Sequence, residues 1–298
     1  MRLRQMELFA AVVEHGSIRR AAEALNMAQP SVSSQLVALE TEVGGALMNR
    51  HARGVTLTPA GRVFLREARA TLTAADRARR FTAQAMEGAS GDVVFATVMS
   101  VAAGILPSAL ASWRKARPDA RAYMHEYRSS ADLSRATSLN QHDFAVGPEP
   151  LGTFEFQTYL GSEEFVVVLP EGDPVAQEAA VDIRDLANRP WVMFSNDHGL
   201  SQIMTRLFAD AGIRPDCAVS TSQTEVAVRL AAVGLGPTIV PANVIPAPYR
   251  EFARSFKEPW HRSLYVYSQD PLSDLAAALV EDIRAVLSPK SDSQVLSL

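Results

Sequence analysis

SIRRAAEALNMAQPSVSSQLVALETEVGGALMNRHARGVTLT, residues 17–58, holds two short helical patterns around a tight turn, followed by an arginine-bearing hairpin. Ile18, Ala21, Ala22 and Leu25 recur at i, i+3, i+4 and i+7, and Val32, Leu36, Leu39 and Val43 at i, i+4, i+7 and i+11, so each segment has one apolar face at helical period. Asn26 tolerates the left-handed stop that ends the first segment, and Pro30 suits the first turn of the second. Three or four residues separate the two, the spacing of a helix-turn-helix. Small Ala21 and Ala22 allow close backbone approach, which leaves the other face of the second helix free.

That free face carries Gln29, Pro30, Ser31, Ser33, Ser34 and Gln35, a polar surface without charge. Recognition helices set their first turns against base edges in the major groove, where Ser and Gln both donate and accept. Helix capping is the competing use of any one of these serines. Upstream, Leu3 to His15 gives another amphipathic helix with Met6, Phe9, Ala10 and Val13 on one side; Gly16-Ser17 ends it, and Ser17 is expected to cap the next and to stand among the DNA contacts. Downstream, Gly44-Gly45 breaks the helix, and Leu47, Val55 and Leu57 bracket Arg50, His51 and Arg53-Gly54 as a winged hairpin. Arg50 and Arg53 would meet phosphates or a minor groove, where the gain is electrostatic and salt-dependent; the alternative for each alone is a solvated loop side chain. Thr58-Pro59 starts a further helix, threonine capping and proline at the first position.

Charge supports the same division. Residues 1–87 hold 12 arginines, no lysine and 8 acidic residues, a net +4, whereas the remainder carries −8; the whole-chain value of −4 hides a basic end. Such a distribution favours a localised contact with nucleic acid over wrapping.

With the spacing from Phe9 through AAEALN, QPSVS, LE, VG and R-x-x-R-G-V-x-LT-P-A-G, the first 90 residues resemble the DNA-binding end of LysR-type transcriptional regulators. The rest has the length and order of their effector domain. Two positions depart: Met48 stands where these regulators usually carry Phe, a volume-conserving swap, and Ser34 where a larger or basic side chain is common, which bears on the operator sequence. The resemblance implies an α/β protein in three parts. Residues 1–58 form a winged helix-turn-helix, 59–90 a linker and dimerisation helix with a hinge, and 91–298 a two-lobed α/β effector domain resembling periplasmic solute-binding proteins. Lobe I covers about 91–161 and 265–298, lobe II about 162–264. Double-stranded promoter or operator DNA, a small-molecule inducer, self-association as a dimer and dimer of dimers, and contact with RNA polymerase are the implied partners; no membrane is among them.

Length and composition bound the remaining classes. At 298 residues, 47% apolar and 21% charged, the chain suits two or three globular units. No apolar run approaches the roughly 20 residues that span a bilayer, and MRLRQMELFA, with Glu7 inside it, reads as a first helix and not as a signal peptide. A cytoplasmic location is expected. The single cysteine, Cys217, in the strand-like CAVSTS, reads as a buried structural thiol and excludes an intrachain disulfide.

From Thr58 to about Glu87, Leu65, Ala68, Leu72 and Ala75 alternate by three and four, the pattern of a short dimer seam. A helix packed on its own domain, with Phe64 inward, competes; the resemblance favours the seam. Gly88-Ala89-Ser90-Gly91 follows as a hinge. Beyond it, strands are expected at 92–98, 120–127, 144–146, 165–169, 191–194, 218–221, 238–240 and 264–267. Helices are expected at 102–116, 131–139, 199–211, 224–233 and 273–287. Such alternation predicts parallel sheets covered by helices, in two lobes crossed near Gly161 and near Trp260 to Leu264.

Ligands in open α/β sheets sit beyond the carboxyl ends of strands, where helix amides attract anions. Ser100-Val101, Ser195-Asn196 and Thr221 to Thr224 occupy such junctions, and Arg128, Ser129 and Gly147-Pro148-Glu149 end neighbouring strands. Ser222 and Glu225 also match a capping box. The resemblance places the inducer beside Ser100, for which a plain N-cap is the alternative. Arg128 would suit a carboxylate, or stand exposed without a counterion. The expected effector residues are Ser100, Val101, Arg128, Ser129, Gly147, Ser195, Asn196 and Thr224.

Enzyme signatures are missing: no G-x-S-x-G, P-loop glycine pattern, H-E-x-x-H or cysteine cluster occurs. The histidines near strand or helix ends, His125, His142 and His198, are expected to face solvent or cap. No catalytic residue, metal ligand or cofactor is expected beyond a small-molecule effector. A solute-binding transport receptor, suggested by two lobes alone, lacks an export signal.

Overall fold

Leu3–His15 forms helix α1, ended by Gly16 at φ 64, and Ile18–Ala24 forms α2. Asn26, at φ 52, turns the chain into α3, Gln29–Val43, which stops at Gly44 with φ 86. The computed structural model describes residues 1–51, 54–87 and 91–288, so Arg53 and most of the 88–91 hinge expectation lie outside the described residues. Strands β1, Met48–His51, and β2, Gly54–Leu57, pair antiparallel with Met48 opposite Leu57. The long helix α4, Pro59–Glu87, follows. Thr58 caps it: its Oγ1 accepts the Gly61 N–H at 2.9 Å.

The chain divides into two compact units, the first made of Met1–Ala83 and Leu139–Gln141. In the first, Leu8, Phe9, Val12, Ala21, Val32, Leu36 and Leu39 are buried from solvent, and Phe64 packs edge-on against Phe9 with ring centroids 5.1 Å apart. The face expected on α1 is therefore too narrow. Leu8 and Val12 are buried and Ala10 and Val13 only half so, because α1 packs on α2, α3 and β2 together. Val43 is exposed, since α3 runs past the core. Ala68 is buried inside this unit, and Leu65, though half-exposed, packs on its core, so of the expected seam Leu72 and Ala75 are the half-exposed residues not packed on that core.

The second unit is built on one mixed sheet. Its strands are β3 (Asp92–Val98), β4 (Arg121–Tyr127), β5 (Phe144–Pro148), β6 (Phe156–Val168), β7 (Ala180–Val181), β10 (Thr238–Pro241) and β11 (Ala253–Ser268). They run in the order β10-β6-β11-β5-β3-β4, with β7 beside β11. A separate parallel pair is formed by β8, Pro190–Phe194, and β9, Asp216–Thr221. The expectation of parallel sheets holds for β3 with β4 and β5, but β6 and β11 pair antiparallel along most of their lengths. Both are far longer than 165–169 and 264–267. Their middles carry Ser162-Glu163-Glu164 and His261-Arg262-Ser263, polar stretches that hide the strand period where the chain leaves one core for the other.

Two hydrophobic clusters result. One gathers Phe95, Trp113, Phe144, Leu160 and Leu264; the other Phe165, Trp191, Phe208, Ile239 and Phe256. The changeover falls between Leu160 and Phe165 on β6 and between Phe256 and Leu264 on β11. The first lobe carries α5 (Met99–Gly104), α6 (Leu106–Ala116), α7 (Ser130–Ser138) and α10 (Asp274–Leu287). The second carries α8 (Gly199–Asp210) and α9 (Thr224–Leu230), which widens into a π turn at Ala231–Leu235. The expected helix at 102–116 starts earlier and breaks at Ile105. Cys217 is exposed, not buried: β9 has only β8 beside it, and its first three residues are all exposed. Among the described residues no helix is long and apolar enough to cross a membrane.

Candidate nucleic-acid interface and ligand cleft

The first turns of α3 stand at the surface. Gln29, Pro30, Ser31 and Ser34 are exposed, Ser33 and Gln35 half-buried, while Val32, Leu36 and Leu39 hold the opposite face in the core. None of the serines caps this helix, since Ala28 takes the N-cap position and Ser34 Oγ donates to the Ser31 carbonyl at 3.0 Å. Ser17 sits half-buried at the start of α2, and its hydroxyl makes no cap bond; its carbonyl accepts the Ala21 N–H instead. Arg50 lies against α3: Nη1 donates to Ser33 Oγ at 3.1 Å and Nη2 is 3.6 Å from Glu40 Oε2.

Glu40, the glutamate of the LE pair, has a role that its sequence position does not reveal. Its Oε1 accepts the backbone N–H groups of Leu47 at 2.8 Å and Met48 at 3.2 Å, which fixes the hairpin to the end of α3. Close backbone approach does the rest. A Cβ on Gly54, at φ 133, would fall 2.3 Å from the Gly16 carbonyl oxygen, and one on Gly61 would fall 1.8 Å from that of Leu47. The glycines of R-G-V and P-A-G are thus steric requirements of the hairpin's seat.

In the second unit, a cleft of about 340 Å³ opens between the lobes, lined by Met99, Ser100, Arg128, Ser130, Pro148, His198, Gln202, Ile203, Arg206, Trp260 and Arg262 among others. Three arginines and no carboxylate reach its wall. Ser100 is buried in the first turn of α5, and its Oγ accepts from Arg262 Nη2 at 2.8 Å. Arg262 stands opposite Glu163 across β11 and β6 and donates through Nε at 2.6 Å to the Glu163 carboxylate, which also accepts from Asn243 Nδ2 at 2.9 Å. The lobes also meet at the far wall, where the Arg128 carbonyl accepts the Gly199 N–H at 2.7 Å. Arg128 is exposed and pairs with Asp197, so it is not without a counterion.

The remaining expected contacts divide. Val101 is fully buried in the first lobe's core, because it faces inward from α5. Ser129 caps α7, accepting the Asp132 N–H at 3.1 Å, and its neighbour Ser130 lines the cleft. Gly147 is buried under Leu133, and Pro148 reaches the cavity. Ser195 braces the turn after β8, its N–H donating to the Thr221 carbonyl at 3.0 Å, beside the Asp197 that pairs with Arg128. Asn196 is exposed and Thr224 buried at the start of α9; neither lines the cleft. The Ser222–Glu225 capping box does not form: Gln223 takes the N-cap position and Glu225 pairs with Arg229. His198 does cap, its Nδ1 accepting the Leu200 N–H at 3.2 Å, whereas His142 is buried.

Two family models match this arrangement: the bacterial regulatory helix-turn-helix protein, lysR family, over residues 3–62, and the LysR substrate binding domain over residues 86–288. The chain belongs to the LysR family of transcriptional regulators. It is 28% identical to the HTH-type transcriptional regulator AlsR of Bacillus subtilis, covering 82% of this chain and 81% of that one. To the DNA-binding transcriptional dual regulator OxyR of Escherichia coli it is 27% identical, covering 83% and 81%. Among solved structures, CbnR, a LysR family transcriptional regulator, superposes with TM-score 0.75 at 21% identity, covering 97% of this chain and all of that one.

The LysR-family fold explains why Arg262, Glu163 and Arg206 escaped the sequence reading. Glu163 and Arg262 are 99 residues apart and lie on the polar middles of two strands, where no periodicity marks them. Arg206 is one solvent-side arginine of a helix until the opposing lobe supplies the rest of the wall.

Proposed function

We propose that this LysR-family regulator is a ligand-responsive transcription factor. It reads promoter DNA through the exposed edge of α3, Gln29 to Gln35, with Ser17, Arg50 and Arg53 against the phosphates. It binds a small carboxylate-bearing metabolite between its lobes. The observation that carries the reading is the polar, uncharged turn of α3 held outward by a buried Val32, Leu36 and Leu39. A carboxylate suits the cleft because the guanidinium groups of Arg128, Arg206 and Arg262, each also paired with a carboxylate outside the lining, reach it beside the Ser100 hydroxyl. Ligand binding would shift one lobe or dimer arrangement against another, which needs only ~1 to 3 kcal/mol of coupling if affinity differs between the states. A dimer joined through α4 sets two reading helices about 34 Å apart, one turn of DNA. Assembly into a dimer of dimers, contact with RNA polymerase and action in the cytoplasm belong to the same proposal.

A panel of small carboxylates, titrated into the full-length chain bound to a duplex from its own upstream region, tests the ligand half. At least one should change DNA affinity fivefold or more, the lower end of ordinary coupling. Ligands that bind the cleft and leave DNA affinity untouched would overturn it.

A further inference from the structure

His125 and Tyr127 alternate on β4 and so share one face of the sheet. β4 is the edge strand, paired only with β3. On that face a third side chain arrives from the loop before β5: His142 is 2% exposed, and its Nε2 lies 3.1 Å from His125 Nδ1 and 3.4 Å from the Tyr127 hydroxyl. The loop is pinned to β3 on both sides of its backbone. The Asp143 N–H donates to the Val94 carbonyl at 2.7 Å, and the Val94 N–H donates to the Asp143 carboxylate at 2.8 Å. His142 is therefore presented by fixed elements. His125 is exposed, which leaves the cluster open from one side.

We infer that His125, His142 and Tyr127 form a binding site for a divalent first-row transition cation, separate from the ligand cleft. Two imidazole nitrogens bound at 2.0–2.1 Å in tetrahedral geometry stand ~3.3 Å apart, close to the separation observed. Imidazole donors suit zinc, copper and nickel over the harder magnesium and calcium. Among the described residues no group of three or more His, Cys, Asp and Glu side chains is arranged to hold a metal ion; the third donor in this cluster is a phenol. The two imidazoles are the ligands, the Tyr127 hydroxyl beside His142 is a weaker third, and the remaining coordination would be completed by water. Tyr127 is followed directly by Arg128 of the cleft, so occupancy would brace that wall.

Zn²⁺ alone, titrated calorimetrically into the full-length, chelator-treated chain, tests the site, with Mg²⁺ as control. One Zn²⁺ per chain is expected, and no Mg²⁺. His125→Asn and His142→Asn should each weaken Zn²⁺ by ~10-fold or more, since even outer-shell partners are worth that much; Tyr127→Phe should weaken it less. Replacing His15, His51 and His261 together should change nothing at that site. His125→Asn is exposed and remains informative should the buried His142 variant fail to fold. Absence of Zn²⁺ uptake, or uptake with unchanged stoichiometry and affinity in His125→Asn, would overturn the assignment and leave a plain histidine hydrogen bond.

Discussion

Glu163 is 3% exposed and faces a nearly buried Arg262, so each ion depends on the other for the solvation it has lost. Removing one partner leaves an uncompensated charge. Glu163→Ala should cost about 3–5 kcal/mol in urea unfolding; a loss below about 1 kcal/mol would show that water relaxes the site. His198 gives a second prediction at this scale. Burial, the largest cause, and the nearby Arg128 and Arg262 hold its imidazole below 6.5, against the opposing pull of Asp197. Below 6.5 the unfolded chain takes up a proton that the folded chain resists, so this contribution to stability is whole above 6.5 and falls as pH drops. His198→Asn, which keeps a capping side chain, should flatten that acid slope; parallel slopes in both proteins would contradict the burial argument. Ser100 was legible in the sequence because it follows a strand and opens a helix. Its partners were not, because a cross-strand pair 99 residues apart leaves no local trace.

Glycine 61 shows how an element is seated. With the Leu47 carbonyl oxygen 1.8 Å from the place of a Cβ, Gly61→Ala must push the hairpin from α4. A loss of about 3 kcal/mol in thermal or urea unfolding is expected, at the upper end of ordinary overpacking; a neutral result would mean that the hairpin is loosely held. For α4 the half-exposed Leu72 belongs to the proposed seam, and Leu72→Lys should weaken self-association in sedimentation while preserving the fold. An unchanged oligomer would place the seam elsewhere. Helices were readable because one apolar stripe per segment suffices to define them, and Asn26 and Gly44 marked their ends. Strands β6 and β11 were half-read, since their charged middles answer to a tertiary need, the crossover, and not to the strand period.

Across the whole molecule the division of labour follows charge and chain order. A basic end of 87 residues carries α3, and an acidic remainder folds into two lobes around an arginine-lined cleft. The first division was plain in the sequence through its arginine count; the cleft was only partly so, because its wall is assembled from both lobes. The central claim is that the outward turn of α3 reads bases. The direct measurement is binding of the full chain, and of Gln29→Ala and Ser33→Ala, to its own promoter duplex and to a random duplex across a salt series. Selective weakening on the promoter, by about 1–3 kcal/mol per lost contact and with the salt slope unchanged, is the predicted result. Equal weakening on both duplexes would contradict it.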